Sequence, residues 1–323
     1  VTHLPGKDSF EQWTDEYELV DSTAVPHHDR EGLPIPVTIP IDLAPGVQVV
    51  YTTRLGGSSI GDFASLNLSE FSGDDSLAVR SNRSALEHAV GAPLALVNQV
   101  HSAKAVDVDS VIGSVSELAT QEADGLVSTQ THIALGVFAA DCLPVLLADS
   151  ERGIIAAAHC GRKGLEAGII RSTVNLMVDK GAQIDTIVAT LGPAICADCY
   201  ELGEKTSQAF AQHFPDTVGE TRFGGLGVDI VAAAKQALAD VGVVHLVDSC
   251  SRIAAATQYL QEDEELERLC EQDGEGSRLV ERIRQLNHPQ CTLENPLWYS
   301  HRRASLSSKP REGRMLALIV RTI

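Results

Sequence analysis

Positive charge is in short supply in this chain. Across 323 residues, 25 Lys and Arg stand against 44 Asp and Glu, giving a formal net charge of −19 and a pI of about 4.9. That balance excludes a general nucleic-acid binder, and any anionic ligand must be held by locally gathered cations. Long apolar runs are missing too. No stretch approaches the roughly 20 residues that cross a bilayer, and no secretory signal is legible at the start. Seven cysteines, an odd number scattered through a large acidic chain, exclude a small disulfide-framed scaffold and read as reduced thiols. A cytoplasmic protein with no membrane partner is expected. Internal repeats and low-complexity tracts are absent. Aromatic residues are few, at 4%, but 44% of the chain is apolar, enough for a sizeable core. The length suits two domains or one large α/β domain.

The stretch from Ala123 to Gly181 is where chemistry gathers. Ile133–Ala140 is apolar and reads as a buried strand, Asp141-Cys142 interrupts it, and Pro144–Ala148 resumes it. Asp149–Gly153 is a polar turn, and Ile154–Ala158 is a second apolar run that stops at His159. Two such runs around a Gly-containing turn read as a β-hairpin. A turn centred near Glu151 sets position 142 opposite roughly 159–161, where cross-strand Cβ atoms lie about 5 Å apart. The hairpin therefore brings Cys142 beside His159. A thiolate next to an imidazole is either half of a metal site or a nucleophile–base pair. Gly161-Arg-Lys-Gly164 reads as a small basic loop, and Leu165–Lys180 as a helix ended by Gly181. This order offers backbone N–H groups to an anion, although an ordinary strand–helix connection is the commoner reason for it.

Elsewhere, residues 1–44 are polar with little periodicity. Val47–Thr53 is a strand that runs into Arg54-Leu-Gly-Gly-Ser-Ser59, whose glycines permit close approach of a ligand to the backbone. A helix is expected near Leu77–Val90. Cys196-Ala-Asp-Cys199 invites a metal or redox reading, but no second C-x-x-C accompanies it and a lone motif is weak. Residues 249–285 shift in composition to short, acid-rich amphipathic helices and read as a solvated helical insertion. The segment from Gln290 to Arg303 is dense in functional groups.

Taken in order, several motifs resemble a known family. They are Thr53-Arg54-x-Gly-Gly, Ser65-Leu-Asn67, Asn98-Gln99-Val-His101, Ala140-Asp-Cys-Leu-Pro144, Ala158-His159-x-Gly161, Gly192-Pro-Ala-Ile195 with Tyr200-Glu201, and Cys291-Thr with Ser300-His-Arg-Arg303. The resemblance is to the YfiH-like, or laccase-domain, proteins. These were first called multicopper polyphenol oxidases and later purine nucleoside phosphorylases with adenosine deaminase and methylthioadenosine phosphorylase activity. It implies a single α/β (α+β) domain with mixed β-sheets flanked by helices over residues 46–323, a helical insertion at about 249–287, and an N-terminal extension over 1–45. It implies one Zn2+ on His101, Cys142 and His159, with Cu2+ as the alternative, and purine nucleosides and phosphate as small-molecule partners. His101, Cys142, His159 and Asp141 are the expected catalytic residues, and Arg54, Asn67, Gln99, Arg162 and Lys163 the expected substrate holders.

The chain departs from the family at His159-Cys-Gly-Arg-Lys-Gly164, where Arg162 replaces the usual Trp. Copper oxidation of phenols is a rival reading, but multicopper sites use many histidines, often as His-x-His, and no such pair occurs here. A hydrolase with Cys142 as nucleophile and His159 as base, acting in cell-wall precursor editing, is another. A binding module that kept the fold is the non-catalytic alternative.

Overall fold

The computed structural model describes residues 28–323 apart from 31, 111–114, 275 and 277. Residues 1–27, with His27 and most of the expected extension, lie outside the described residues. The elements in chain order are β1 (Thr38–Ala44), β2 (Val47–Thr52), α1 (Ser76–Val90), β3 (Leu94–Ala95), β4 (Ala105–Asp107), α2 (Val115–Leu118), β5 (Gly125–Ser128), β6 (Ala134–Ala139), β7 (Leu143–Asp149) and β8 (Ile154–Cys160). They continue as α3 (Arg162–Ala167), α4 (Ile169–Asp179), β9 (Val188–Leu191), α5 (Glu204–His213), β10 (Val218–Glu220), β11 (Leu226–Val228), α6 (Ile230–Asp240) and β12 (His245–Leu246). The last are α7 (Cys250–Tyr259), α8 (Glu264–Gln272), α9 (Leu279–Arg284), α10 (His301–Leu306) and β13 (Met315–Arg321).

Two mixed sheets face each other. One runs β1–β2–β13–β6–β3 and the other β12–β9–β7–β8–β5–β4. Side chains alternate across a strand, and the two faces of each sheet are buried against different partners. Leu146, Ala148, Ile155 and Ala157 of the second sheet share one apolar cluster with Val49, Leu135, Val137 and Ile319 of the first. Their neighbours Val145, Leu147, Ala156 and Ala158 face the other way, onto Leu165, Ile170, Val174 and Leu238 of α3, α4 and α6. Leu86 of α1 covers the outer face of the first sheet beside Phe138 and Leu318. The result is a helix–sheet–sheet–helix stack, the mixed α/β architecture expected. Strands covered on both faces are apolar throughout, which is why β7 and β8 read as unbroken runs. Among the described residues no helix is long and apolar enough to cross a membrane.

Several expectations change. The apolar stretch 133–148 is two strands in different sheets, because the chain passes from β6 to β7 through Ala140-Asp141-Cys142. The single helix over 165–180 is two helices parted at Gly168, whose φ of 91° breaks the ladder. Residues 38–44, read as lead-in, form the sheet-edge strand β1, paired with β2. Gly57 meets the chain itself rather than a ligand: a Cβ there would lie 2.2 Å from the carbonyl oxygen of Ser65.

The stretch expected to be an insertion forms α7, α8 and α9, as its periodicity suggests, but it is no solvated appendage. Ile253, Leu266, Leu269, Leu279 and Ile283 belong to the inter-sheet cluster, and Glu265 accepts from the Gly56 amide at 3.1 Å. Asp273 lies 2.6 Å from Arg54, with its side chain 7% exposed, and Lys309 and Arg303 also face it. Burial pushes the Asp273 carboxyl up, yet Arg54 and the Lys309 hydrogen bond outweigh it and hold the pKa at about 2. A folded pKa below the unfolded one adds stability that is present above about pH 4 and lost as pH falls through 2, here about 2 kcal/mol. Asp273→Asn should cost about 3–5 kcal/mol at pH 7, since it strands buried cations. It should also flatten the stability profile between pH 4 and 2. Urea melts across pH check both effects, and unchanged melts would show that packing alone holds the insertion.

Candidate metal centre and cleft

The passage between sheets builds the site. In the β7–β8 ladder Leu143 pairs with Cys160 and Pro144 with His159, which puts Cys142 opposite 161, within the expected span. His159 shares the parity of Ile155 and Ala157, so it stands at the open end of the inter-sheet face. His101 arrives from the loop after β3 with a φ of 59°. Its Nε2 lies 3.6 Å from Cys142 Sγ, and the His101 and His159 rings meet edge-on at 4.8 Å. The three ligand atoms all lie within 4.8 Å of one another.

Asp124, at the mouth of β5, organises the trio and was not singled out from sequence. It is fully buried. One carboxylate oxygen accepts from the His101 amide at 3.0 Å and pairs with His159 Nδ1 at 2.8 Å. The other accepts from the Ser102 amide at 2.6 Å and the Ser102 hydroxyl at 2.8 Å. With Nδ1 committed to the carboxylate, His159 turns Nε2 toward the cluster, the arrangement of metal-ligating histidines. Burial pushes the Asp124 carboxyl up, but His159 and Ser102 hold it at about 2. Burial likewise opposes charge on Cys142 and His159. Each stabilises the other's charged form, so the thiol falls to about 6 and the imidazole rises to about 9.

The donor set fits one metal ion. Two imidazoles and a low-pKa thiol converge, and the space beside them depends on Gly161. A Cβ there would lie 2.8 Å from His101 Cδ2 and 2.9 Å from Cys142 Sγ. Three protein ligands would leave one position open on a tetrahedral ion, the mark of a catalytic rather than a structural centre. The trio lines a cleft of about 460 Å³, together with Phe71, Phe138, Tyr200, His301, Arg302 and Arg314 among others.

The other expected site residues divide. Asp141 and Gln99 line the cleft, but both are engaged in holding the chain. Asp141 accepts from the Thr292 hydroxyl at 2.6 Å and the Arg302 amide at 2.7 Å. Gln99 clamps the Phe138 backbone from both sides, at 3.0 and 2.6 Å. Four substrate holders do not reach the cleft. Asn67 is fully buried and binds Ser72 and Asp74. Arg54 lies in a separate small pocket against Asp273. Arg162 and Lys163 form the first turn of α3 rather than a loop, and Arg162 pairs with Glu166 at 2.5 Å.

The cations that do line the cleft are Arg302, in the segment already dense in functional groups, and Arg314. Arg302 donates to the neutral Glu201 carbonyl at 2.6 Å and stacks over Tyr200 with its guanidinium 6.0 Å from the ring centre. Arg314 pairs with Glu312. Sequence offered no sign that Asp124 was special beyond a lone acid before an apolar run.

Fold and site together define a mixed α/β protein with an open, three-ligand metal-type centre at the junction of two sheets. The chain belongs to the family described as multi-copper polyphenol oxidoreductase laccase, whose model matches residues 48–260. A Streptomyces griseus protein named purine nucleoside phosphorylase is 39% identical over 196 residues, which cover 60% of this chain and 79% of the relative. An adenosine deaminase from an unknown prokaryotic organism is 33% identical over 222 residues, covering 64% and 85%. Among solved structures, a Neisseria meningitidis protein of the DUF152 family superposes with a TM-score of 0.65 at 30% identity, over 88% of this chain and 98% of the other.

Proposed function

We propose that this protein is a zinc-dependent purine nucleoside phosphorylase that also deaminates adenosine. The observation that carries the reading is the His101–Cys142–His159 cluster opening onto a cleft with aromatic walls and arginines. The names borne by its relatives support it. The substrates are free purine nucleosides and phosphate in the cytoplasm, not nucleic acid, and the working unit is the domain expected over residues 46–323 with its insertion at about 249–287, extended N-terminally by β1.

In phosphorolysis the N9–C1′ bond breaks, a phosphate oxygen bonds C1′, and the base leaves with the electron pair and takes up a proton. Phe71, Phe138 and Tyr200 offer apolar faces to the base. Arg302, held by a carbonyl rather than a carboxylate, brings positive charge for phosphate. Asp141 sets the Arg302 backbone and Gln99 sets Phe138, so both are positioning residues. Asp124 fixes the His159 tautomer. His101, Cys142 and His159 would hold the zinc, which would supply Lewis-acid polarisation there.

The family description keeps copper in view, since two histidines and a cysteine are also the equatorial set of blue-copper sites. Such sites add a weak axial Met, Gln or backbone oxygen. Met177 and Met315 are both buried in the cores, and the Gln99 oxygen is taken by the Phe138 amide. Imidazole and thiolate ligands with one position left open are equally those of catalytic zinc, the ion of this reading. Arg302→Ala should raise the KM for phosphate about tenfold or more with metal content unchanged, since a charge-assisted contact is lost. Steady-state rates against phosphate concentration test this, and an unaltered phosphate KM would remove Arg302 from the reading.

A further inference from the structure

The second group of metal-type side chains lies on the far side of Asp141. We propose that Cys196, Cys199, Cys291 and Glu294 form a separate structural zinc site. It would staple the return of the insertion to the loop after β9. Their ligand atoms all lie within 4.8 Å of one another. Cys196 Sγ and Cys199 Sγ each sit 3.7 Å from Glu294 Oε1. A tetrahedral ion with Zn–S bonds near 2.3 Å sets its ligand atoms about 3.8 Å apart, so a small contraction completes the shell. All three thiols are free. The C-x-x-C carried little weight in sequence because no second pair accompanied it. The fold supplies the missing half from a segment 95 positions away, where Cys291 Sγ accepts from the Cys196 amide at 3.4 Å.

The surroundings are those of a held ligand set. Glu294 Oε2 accepts from the Asn287 and His288 amides, both at 3.1 Å. Glu294 Oε1 receives Arg222 at 2.5 Å, and the Glu294 side chain is only 5% exposed. Three thiolates and a carboxylate around a divalent ion carry net negative charge, and Arg222 offsets part of it. Soft thiolate donors in a closed four-ligand set select zinc over hard cations, and four protein ligands leave no open position for chemistry. This site would be structural where the first is catalytic.

Its place in the chain gives the staple a purpose. Cys291 precedes Thr292, whose hydroxyl holds Asp141 at 2.6 Å, and Asp141 adjoins Cys142. The insertion separates β12 from Cys291, so the register of its return must be fixed by something. The parallel bridge Ala194–Cys291 spans one residue pair through two backbone hydrogen bonds, and a metal link beside it would lock the register further.

The test uses the full-length Cys142→Ala variant, which lacks a ligand of the first centre and keeps all four of the second. Reduced, chelated protein is titrated with Zn2+ and with Co2+. The expected result is one tightly held equivalent, an intense sulfur-to-cobalt charge-transfer band, and zinc protection of three thiols from a disulfide reagent. Adding Cys291→Ser should remove the band and the protection. Should that double variant fail to fold, Cys142→Ala with Cys196→Ser gives the same readout. Absence of any tight equivalent in Cys142→Ala, thiols that react equally with and without zinc, or a Cys196–Cys199 disulfide in the native protein would each overturn the proposal.

Discussion

Cys142→Ala is expected to abolish nucleoside turnover, with kcat/KM falling by a factor of about a thousand or more, equivalent to about 4 kcal/mol of transition-state stabilisation. The substitution removes one of three ligands and the thiolate charge that would offset that of the bound ion. It should leave the fold intact, because the side chain sits in the crossing between sheets rather than in an apolar cluster. Metal analysis and base release are measured on the same preparation. Loss of activity with full retention of metal at this centre would instead make Cys142 a nucleophile, and the protein a Cys–His hydrolase. Full activity without the thiol would remove the trio from the chemistry altogether.

The second large effect is expected at Asp124, which touches no substrate. Asp124→Asn keeps the shape but turns an NH₂ group toward amide donors or toward His159 Nδ1. Losing the carboxylate frees the His159 tautomer and leaves buried donors without an acceptor. Metal affinity should fall about 10–100-fold, and stability by about 2–4 kcal/mol. Metal titrations well below the melting temperature separate the two effects. Wild-type affinity in a folded Asp124→Asn protein would show that His159 needs no orienting partner.

The parts of this architecture legible from sequence were those set by local pattern. The 149–153 turn between two apolar runs sufficed to set Cys142 next to His159, because hairpin register follows from the turn. His101 is a different case: no local pattern ties it to the hairpin 40 residues on, and only the family resemblance brought it in. The apolar run before Asp141 was misread as part of the same strand because burial on both faces erases the period that marks a sheet's boundary. Choosing among the arginines failed for an electrostatic reason. Arg54 looks free in sequence, but its partner Asp273 lies 219 positions away in the insertion. A separation of 95 positions likewise hides the convergence of Cys291 with Cys196 and its neighbour Cys199. An acid-rich composition suggests solvated helices, but the leucines on one face are enough to bury them.

The central claim is that the His–Cys–His centre and its cleft transfer a ribosyl group from a purine to phosphate. Zinc-loaded protein with inosine and inorganic phosphate should form ribose 1-phosphate and hypoxanthine one to one, with both products vanishing when phosphate is withheld. Free ribose formed at the same rate without phosphate, or oxygen uptake with a phenol and copper in place of base release, would contradict it.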